Sequence, residues 1–550
     1  MKTTLIIGLI LSLITLPLLT ACGGGAVTTV PPTTAPAAVQ PTAVPPTAVP
    51  PTAAPAKAPT AIPPTAAPIS LKIGYGGPPV ASVDPTDFSG GAPPCIFEAL
   101  VGFDKNEKMV GALADSWQFL DDGKTLEFKL KKDIVFSSGD PFTAADVEFS
   151  LARHLKKDMP IMAQLTKDTF DKLEIVDPYT IRFHFPKVNV QFLPQTAPNM
   201  FIVSKAAYDK VGEDGYLKAP VGTGPYKIVG WKEGQYIDVA YNEKYRGAKP
   251  QVQSARFLAA PDGATRVAML KAGEVDMITQ TPWTNVADLQ AKGFNRADVP
   301  QPHDIALQFD LLDKSVPWYD VRVRQAINYA IDKEALRNKL FGGVPQEGVW
   351  QLPWELGYDK SLKPAYPYDL AKAKQLMKDA GKADGFTMPI VYASFMEWGA
   401  DLADYISNAL AQINIKVQLT GLSTFPEFMG TVEDLHKLKG KPVVLLFDYG
   451  WPGNPEPVIN LTNGFWMGKG NTLYDNKDVS TLIEQGLQTV DNTARGKLIS
   501  QAYTIINNDL PFVPICLEVA TAMMKSNITY TKSSGGMNTG PANLDDLTVK

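Results

Sequence analysis

Copies of a Pro-Thr-Ala-x-Pro unit at 41–45, 46–50, 51–55, 59–63 and 64–68 set the limit on what this 550-residue chain can fold. From Gly23 to Pro68 the only charge is Lys57, and the segment has almost nothing to bury, so it cannot offset the entropy of ordering a core. Its prolines favour an extended polyproline II spacer, which at about 3.1 Å per residue reaches at most roughly 140 Å. Residues 69–550 remain as the folded body, too long for one simple core and suited to two or three packed lobes.

The start of the chain fixes the compartment. Met1-Lys2 is a positive start and Leu5 to Leu19 an apolar stretch too short to span a bilayer comfortably, so residues 1–21 read as a signal peptide. Pro17 interrupts the stretch, and no other apolar run approaches membrane length. Leu19-Thr20-Ala21-Cys22 resembles the lipobox of bacterial lipoproteins, which implies cleavage before Cys22 and a diacylglycerol on its thiol. Residues 22–68 are then a stalk on a chain anchored by lipid alone to the outer face of the cytoplasmic membrane, on the periplasmic or extracellular side. Without the signal peptide 51 basic residues face 57 acidic ones, a formal charge of −6 that opposes nucleic-acid binding. Cys95 and Cys516 are the other cysteines, and they form either one disulfide or two unpaired buried thiols.

Between 69 and 300 the pattern is strand-rich. Leu126-Glu127-Phe128-Lys129-Leu130 alternates as a half-buried strand does, and Asp121-Asp122-Gly123 and Ser138-Gly139-Asp140-Pro141 mark turns. Helices enter after 320. Val323, Ala326, Ile327, Ala330 and Ile331 recur at helical spacing behind Asp320, a good first residue. Leu370, Ala373, Leu376, Met377 and Ala380 make a second helix that Gly381 ends. Leu402, Ile406, Ala409, Leu410 and Ile413 make a third, followed at once by alternating Ile415, Val417 and Leu419. The pattern is α/β, with a lobe boundary near residue 300.

Leu113-Ala114-Asp115-Ser116-Trp117, Asp121 through Leu130 and Phe136-Ser137-Ser138-Gly139-Asp140-Pro141-Phe142-Thr143-Ala144-Ala145-Asp146-Val147 together resemble extracellular solute-binding proteins of family 5. Gly222-Thr223-Gly224-Pro225-Tyr226, Gly273-Glu274-Val275-Asp276, Asp320 through Ala326 and Ile331-Asp332-Lys333 match later landmarks in order, although Ser137 replaces a common histidine. The resemblance implies a two-lobed periplasmic-binding-protein-like clamp of the class II, cluster C type, with an extra subdomain in the first lobe. It places lobe one at 69–300 plus 517–550 and lobe two at 301–516, joined by two crossing strands. It also implies a monomeric receptor without cofactor that captures a peptide or oligosaccharide and delivers it to the permease subunits of an ABC importer. A nickel, opine or other small-solute receptor, or a surface adhesin or chaperone, uses the same fold.

Most landmarks describe scaffold. Gly222 and Gly224 suit a turn with positive φ, Asp146, Arg322 and Arg324 suit charge pairs that hold helices, and Trp117 suits a core. Catalytic sets are missing from the sequence: no Cys-x-x-Cys, no histidine pair at metalloprotease spacing, and Gly421-Leu422-Ser423-Thr424-Phe425 departs from the nucleophile elbow at its last position. His154, His184, His303 and His436 are scattered and suggest no metal site. A binding site is expected where Phe447-Asp448-Tyr449-Gly450-Trp451-Pro452-Gly453-Asn454 leaves the apolar run Val443 to Leu446, because ligands in open α/β sheets bind at strand ends. Tyr449, Trp451 and Asn454 are candidates there, with Trp283 and Trp350 among the tryptophans of irregular stretches. The dipeptide receptors of the family carry an aspartate three residues after the tryptophan. Asn454 stands there instead, able to hydrogen-bond but not to neutralise an ammonium.

Overall fold

The computed structural model describes residues 68–76, 82–85, 95–120, 123–156, 165, 169–436, 441–449, 458–465, 467, 473–532, 534–535 and 543–550. The expected signal peptide, Cys22 and the stalk up to residue 67 lie outside the described residues, as do Asp121, Asp122 and 450–457 with Trp451 and Asn454. No described helix is long and apolar enough to cross a membrane. The chain divides after Thr65, and every element below belongs to the unit Ala66–Lys550.

Ten strands lie along one path of an 11-stranded mixed sheet. They are β1 (Ile69–Tyr75), β2 (Tyr226–Lys232), β3 (Tyr236–Tyr241), β4 (Val252–Ala259), β5 (Met277–Ile278), β6 (Asn295–Phe309), β7 (Phe386–Ala393), β8 (Ile415–Leu422), β9 (Val444–Tyr449) and β10 (Phe512–Met524). Their spatial order is β8-β7-β9-β6-β10-β5-β1-β4-β3-β2, so β6 and β10 stand between two groups of strands. These two pair antiparallel from Asn295 opposite Met524 to Gln308 opposite Phe512. Their register shifts between Pro300 and Asp304.

That shift divides two cores. Beyond it, Ala297, Ala522 and Met524 pack with Ile73 and Phe257. Before it, Ile305, Leu307, Phe309, Phe512 and Ile515 pack with Ile327, Ile406 and Tyr503. Burying a side chain such as Phe309 contributes about 1.5–3 kcal/mol, so each half of the strand pair is fastened to its own body while the backbone runs continuously between them. A third core, built on Phe128, Phe183 and Phe192, backs a separate four-stranded sheet of Ala114–Leu120, Thr125–Leu130, Thr180–His184 and Lys172–Asp177.

The helical spacing is realised as read. Helix Val321–Ala330 starts at Asp320, whose side chain accepts from Arg322 N–H. Helix Leu370–Asp379 starts at Asp369, with Gly381 beyond its end at φ +67°. Helix Gly399–Ala411 leads into β8. Three expectations change. Gly222 and Gly224 do not have positive φ; a Cβ would lie 2.2 Å from Ile96 O at Gly222 and 2.5 Å from Cys95 O at Gly224, so close backbone approach is what requires glycine. The Thr125–Leu130 strand is buried on both faces, with Glu127 held inside by Arg182 at 2.9 Å and Lys129 at 3.3 Å. Of the expected charge pairs, Arg322 does meet Asp320, whereas Asp146 accepts from the backbone N–H groups of Thr143 and Lys205. Cys95 and Cys516 are both free and buried.

Within helix Ala144–Lys156, His154 is fully buried and its Nε2–H donates to Phe201 O at 3.1 Å, while Nδ1 has no partner. Burial, aided by Arg153, pushes its pKa down to about 4. The folded value lies below the unfolded one of about 6.5, so its full contribution is present above pH 6.5 and is lost as pH falls towards 4. Denaturant unfolding between pH 7 and 5 should lose up to about 1.4 kcal/mol per pH unit through this one proton. In His154→Gln that part of the slope should vanish. Equal slopes in both proteins would show that His154 is not what couples stability to acid.

Candidate functional site

Where the two long strands change register, β9 adds a third strand beside them. Ile305 of β6 stands opposite both Asp448 of β9 and Cys516 of β10. Side chains alternate along a strand, so His303, Asp448 and Glu518 come to the same face from positions 145 and 70 residues apart in sequence. His303 Nδ1 lies 2.9 Å from Asp448 Oδ2 and 3.7 Å from Glu518 Oε2. The three side chains keep 16, 12 and 26% of their exposure, so a solute can reach them. His303 Nε2 and Asp448 Oδ1 are buried without a partner among the described residues.

The electrostatics follow from this crowding. Burial works against the imidazolium of His303, yet the adjoining Asp448 carboxylate and then Glu518 outweigh it and raise its pKa. Burial raises Glu518 to about 7, with His303 lowering it and Asp448 raising it. Asp304 is raised well above the carboxylate range by burial, although its Oδ1 accepts from Val349 N–H at 3.1 Å. Among the described residues neither Asp448 nor Glu518 is paired with a lysine or arginine, so His303 is the one basic group that faces both carboxyl groups.

The flanks of the crossing are bridged. Arg266, in helix Gly263–Ala272 beside β1, donates to Glu397 Oε1 at 3.0 Å in the segment following β7. Gln191 Nε2 donates to Thr462 Oγ1 at 3.2 Å. Of the residues expected from sequence, Tyr449 ends β9, and its side chain lies outside the described residues along with Trp451 and Asn454. Trp283 donates its indole N–H to Val519 O at 3.0 Å and stands edge-on to Phe341; Trp350 donates to Asn507 Oδ1 at 3.0 Å. Both indole N–H groups are therefore already engaged within the chain. Trp398 is buried, and Trp354 is 40% exposed. A cavity of about 670 Å³ lies elsewhere, beside the four-stranded sheet. Among its four cations, Lys131 bonds the carbonyls of Gly111 and Ala112, Arg246 pairs with Glu98, Lys129 pairs with Glu127, and Lys132 lies over the ring of Tyr179.

The sequence reading leaves His303 among scattered histidines and does not single out Asp448 or Glu518. The available signal was an ionisable residue inside or beside an apolar strand run: Glu518 between Leu517 and Val519, Asp448 after Leu446-Phe447, His303 before Ile305. Such a residue is costly to bury unless it has a purpose or a partner.

Two bodies that share a pair of continuous strands, with half-buried ionisable groups gathered at the crossing, have the build of a bilobal solute-binding protein. Residues 108–471 match the family model for bacterial extracellular solute-binding proteins, family 5, in its middle region. The chain belongs to that family, whose members are transport receptors rather than enzymes, and it is the substrate-binding protein of an ABC importer. It is 28% identical over 448 residues to the glutathione-binding protein GsiB of Salmonella paratyphi A, covering 79% of this chain and 85% of that protein. Its fold is that of the periplasmic binding protein DppA from Helicobacter pylori, solved with the peptide STSA, at a TM-score of 0.68 and 24% identity over 87% of this chain and 98% of that one. The ABC transporter substrate-binding protein CtaP of Listeria monocytogenes is similar, with a TM-score of 0.74 and 24% identity over 88% and 99%.

Proposed function

We propose that this chain is a monomeric receptor, anchored through lipid on Cys22 to the outer face of the cytoplasmic membrane, that closes on a short peptide and hands it to permease subunits. The observation that carries the reading is the pair β6 and β10, continuous through both cores with an ionisable cluster at their register shift. A shared strand pair lets two bodies rotate by small backbone changes, and a solute touching both shifts that equilibrium. The lobes on this reading are 69–300 with 517–550, and 301–516. Asp448, His303 and Glu518 favour a charged or strongly polar solute over a neutral sugar, and the glutathione and peptide named for GsiB and DppA agree with that. The oligosaccharide reading rests on indole faces. Trp451 remains its best support, in the sequence after β9 with Tyr449 and Asn454, while Trp283 and Trp350 could offer only their faces.

Labels at exposed Val229 in one lobe and exposed Lys374 in the other should show a shorter mean separation when short peptides are added to the full mature chain. The peptide should be recovered unchanged. No shortening with any member of a peptide or oligosaccharide library would sink the clamp reading, and recovery of a processed product would place the chain among enzymes.

A further inference from the structure

We infer that His303, Asp448 and Glu518 form a site for one divalent transition-metal ion at the strand crossing, with its remaining coordination positions open to water or to the solute. The inference goes beyond the importer reading and stands or falls without it. Metal bonds of about 2.1 Å at tetrahedral to octahedral angles hold ligand atoms roughly 3.0–3.4 Å apart. The donor separations here, 2.9 Å and 3.7 Å from His303 Nδ1, straddle that range, and the three donor atoms all lie within 4.8 Å of one another.

Three adjacent strands hold these donors, so their spacing is set by backbone register rather than by mobile loops. The charge is also right for a cation: two carboxylates, one imidazole, and no lysine or arginine paired with them among the described residues. One further atom points to an unfilled site, because Asp448 Oδ1, on the same carboxylate as the donor Oδ2, is buried without a partner among the described residues. On binding, the ion takes the place of the proton that His303 Nδ1 shares with Asp448, and that proton leaves to solvent. One imidazole nitrogen with carboxylate oxygens suits zinc or nickel; calcium and magnesium take all-oxygen sets, and copper(I) prefers thiolate. The histidines that look scattered in sequence therefore include one ligand of a set that only the fold assembles.

The test uses the untagged full mature chain, stripped with chelator and titrated calorimetrically with Zn²⁺ and Ni²⁺, with Ca²⁺ and Mg²⁺ as controls. One equivalent of Zn²⁺ or Ni²⁺ should bind, and His303→Ala, Asp448→Asn and Glu518→Gln should each weaken it by about tenfold or more. The two amide variants keep shape, and thermal melts check that they fold. Absent Zn²⁺ and Ni²⁺ binding would overturn the site, and so would wild-type affinity in both folded amide variants, which would place the ion elsewhere on the chain. The Val229–Lys374 separation, measured with peptide in chelator, reports the importer reading alone. A chain that closes on peptide but binds no metal loses only this inference.

Discussion

Replacing Arg266 by methionine should lower the unfolding free energy by about 3 kcal/mol or more, the scale for removing one member of a buried, hydrogen-bonded charge set. Arg266 is 1% exposed. Its Nη1–H groups donate to Ala260 O at 2.8 Å and Pro261 O at 2.7 Å, and its Nη2–H groups to Gln280 O at 2.6 Å and Glu397 at 3.0 Å. Methionine keeps the aliphatic volume and the helix but strands carbonyls that have lost water, and each buried unsatisfied group costs about 1–3 kcal/mol. Glu397 is the contrasting partner. Its side chain is 47% exposed, and burial raises its pKa despite the guanidinium, so Glu397→Gln should cost about 1 kcal/mol or less. The carboxylate reaches across the flank of the crossing, so its loss should instead alter how readily the lobes open. Urea unfolding of the two variants separates these roles. Equal losses would mean that the ion pair, not the carbonyl set, is what Arg266 supplies.

The elements that were legible in the sequence are those whose signals are local. Asp320 and Gly381 bound helices because a side chain or φ acts on the backbone within one turn, and the apolar spacing selects the buried face; Asp369, which starts the second helix, is not singled out by the sequence reading. The cluster at the strand crossing was not legible in the same way. His303, Asp448 and Glu518 meet only because β6, β9 and β10 lie side by side in one register, and no short window contains that fact. The same limit explains Gly222 and Gly224. Their glycine requirement comes from the backbone of Cys95 and Ile96, more than 120 residues earlier, rather than from a turn of their own. Trp283 and Trp350 looked available because the sequence around them reads as irregular, yet Trp283 opens the helix Trp283–Ala291, and an irregular segment such as that of Trp350 can turn an indole inward as readily as outward. Here Val519 and Asn507 receive both N–H groups.

Two arginines in the landmark Asp320-Val321-Arg322-Val323-Arg324 look equivalent in sequence and should behave very differently. Arg322 pairs with Asp320 at the protein surface, and Arg322→Met should change stability little. Arg324 is 5% exposed and, among the described residues, bonds carbonyls rather than a carboxylate. Its Nη1–H groups donate to Trp318 O and Tyr319 O, both at 2.7 Å, its Nε–H to Leu510 O at 3.0 Å and its Nη2–H to Asp509 O at 2.5 Å. Burial draws its pKa down to about 10, which still leaves it charged at neutral pH. Asp509 and Leu510 close helix Asn492–Asp509, and Leu510 takes φ +47° just before β10 begins. Arg324 thus fixes the point from which one of the two crossing strands departs. Arg324→Met leaves four carbonyls without donors and should cost about 3 kcal/mol or more. Arg324→Lys should recover only part of this, since one ammonium has three donors and none of the planar fork. Guanidinium unfolding of the three variants gives the comparison. If Arg322→Met and Arg324→Met lose the same stability, the carbonyl cluster does not secure this junction and the landmark's second arginine has another purpose.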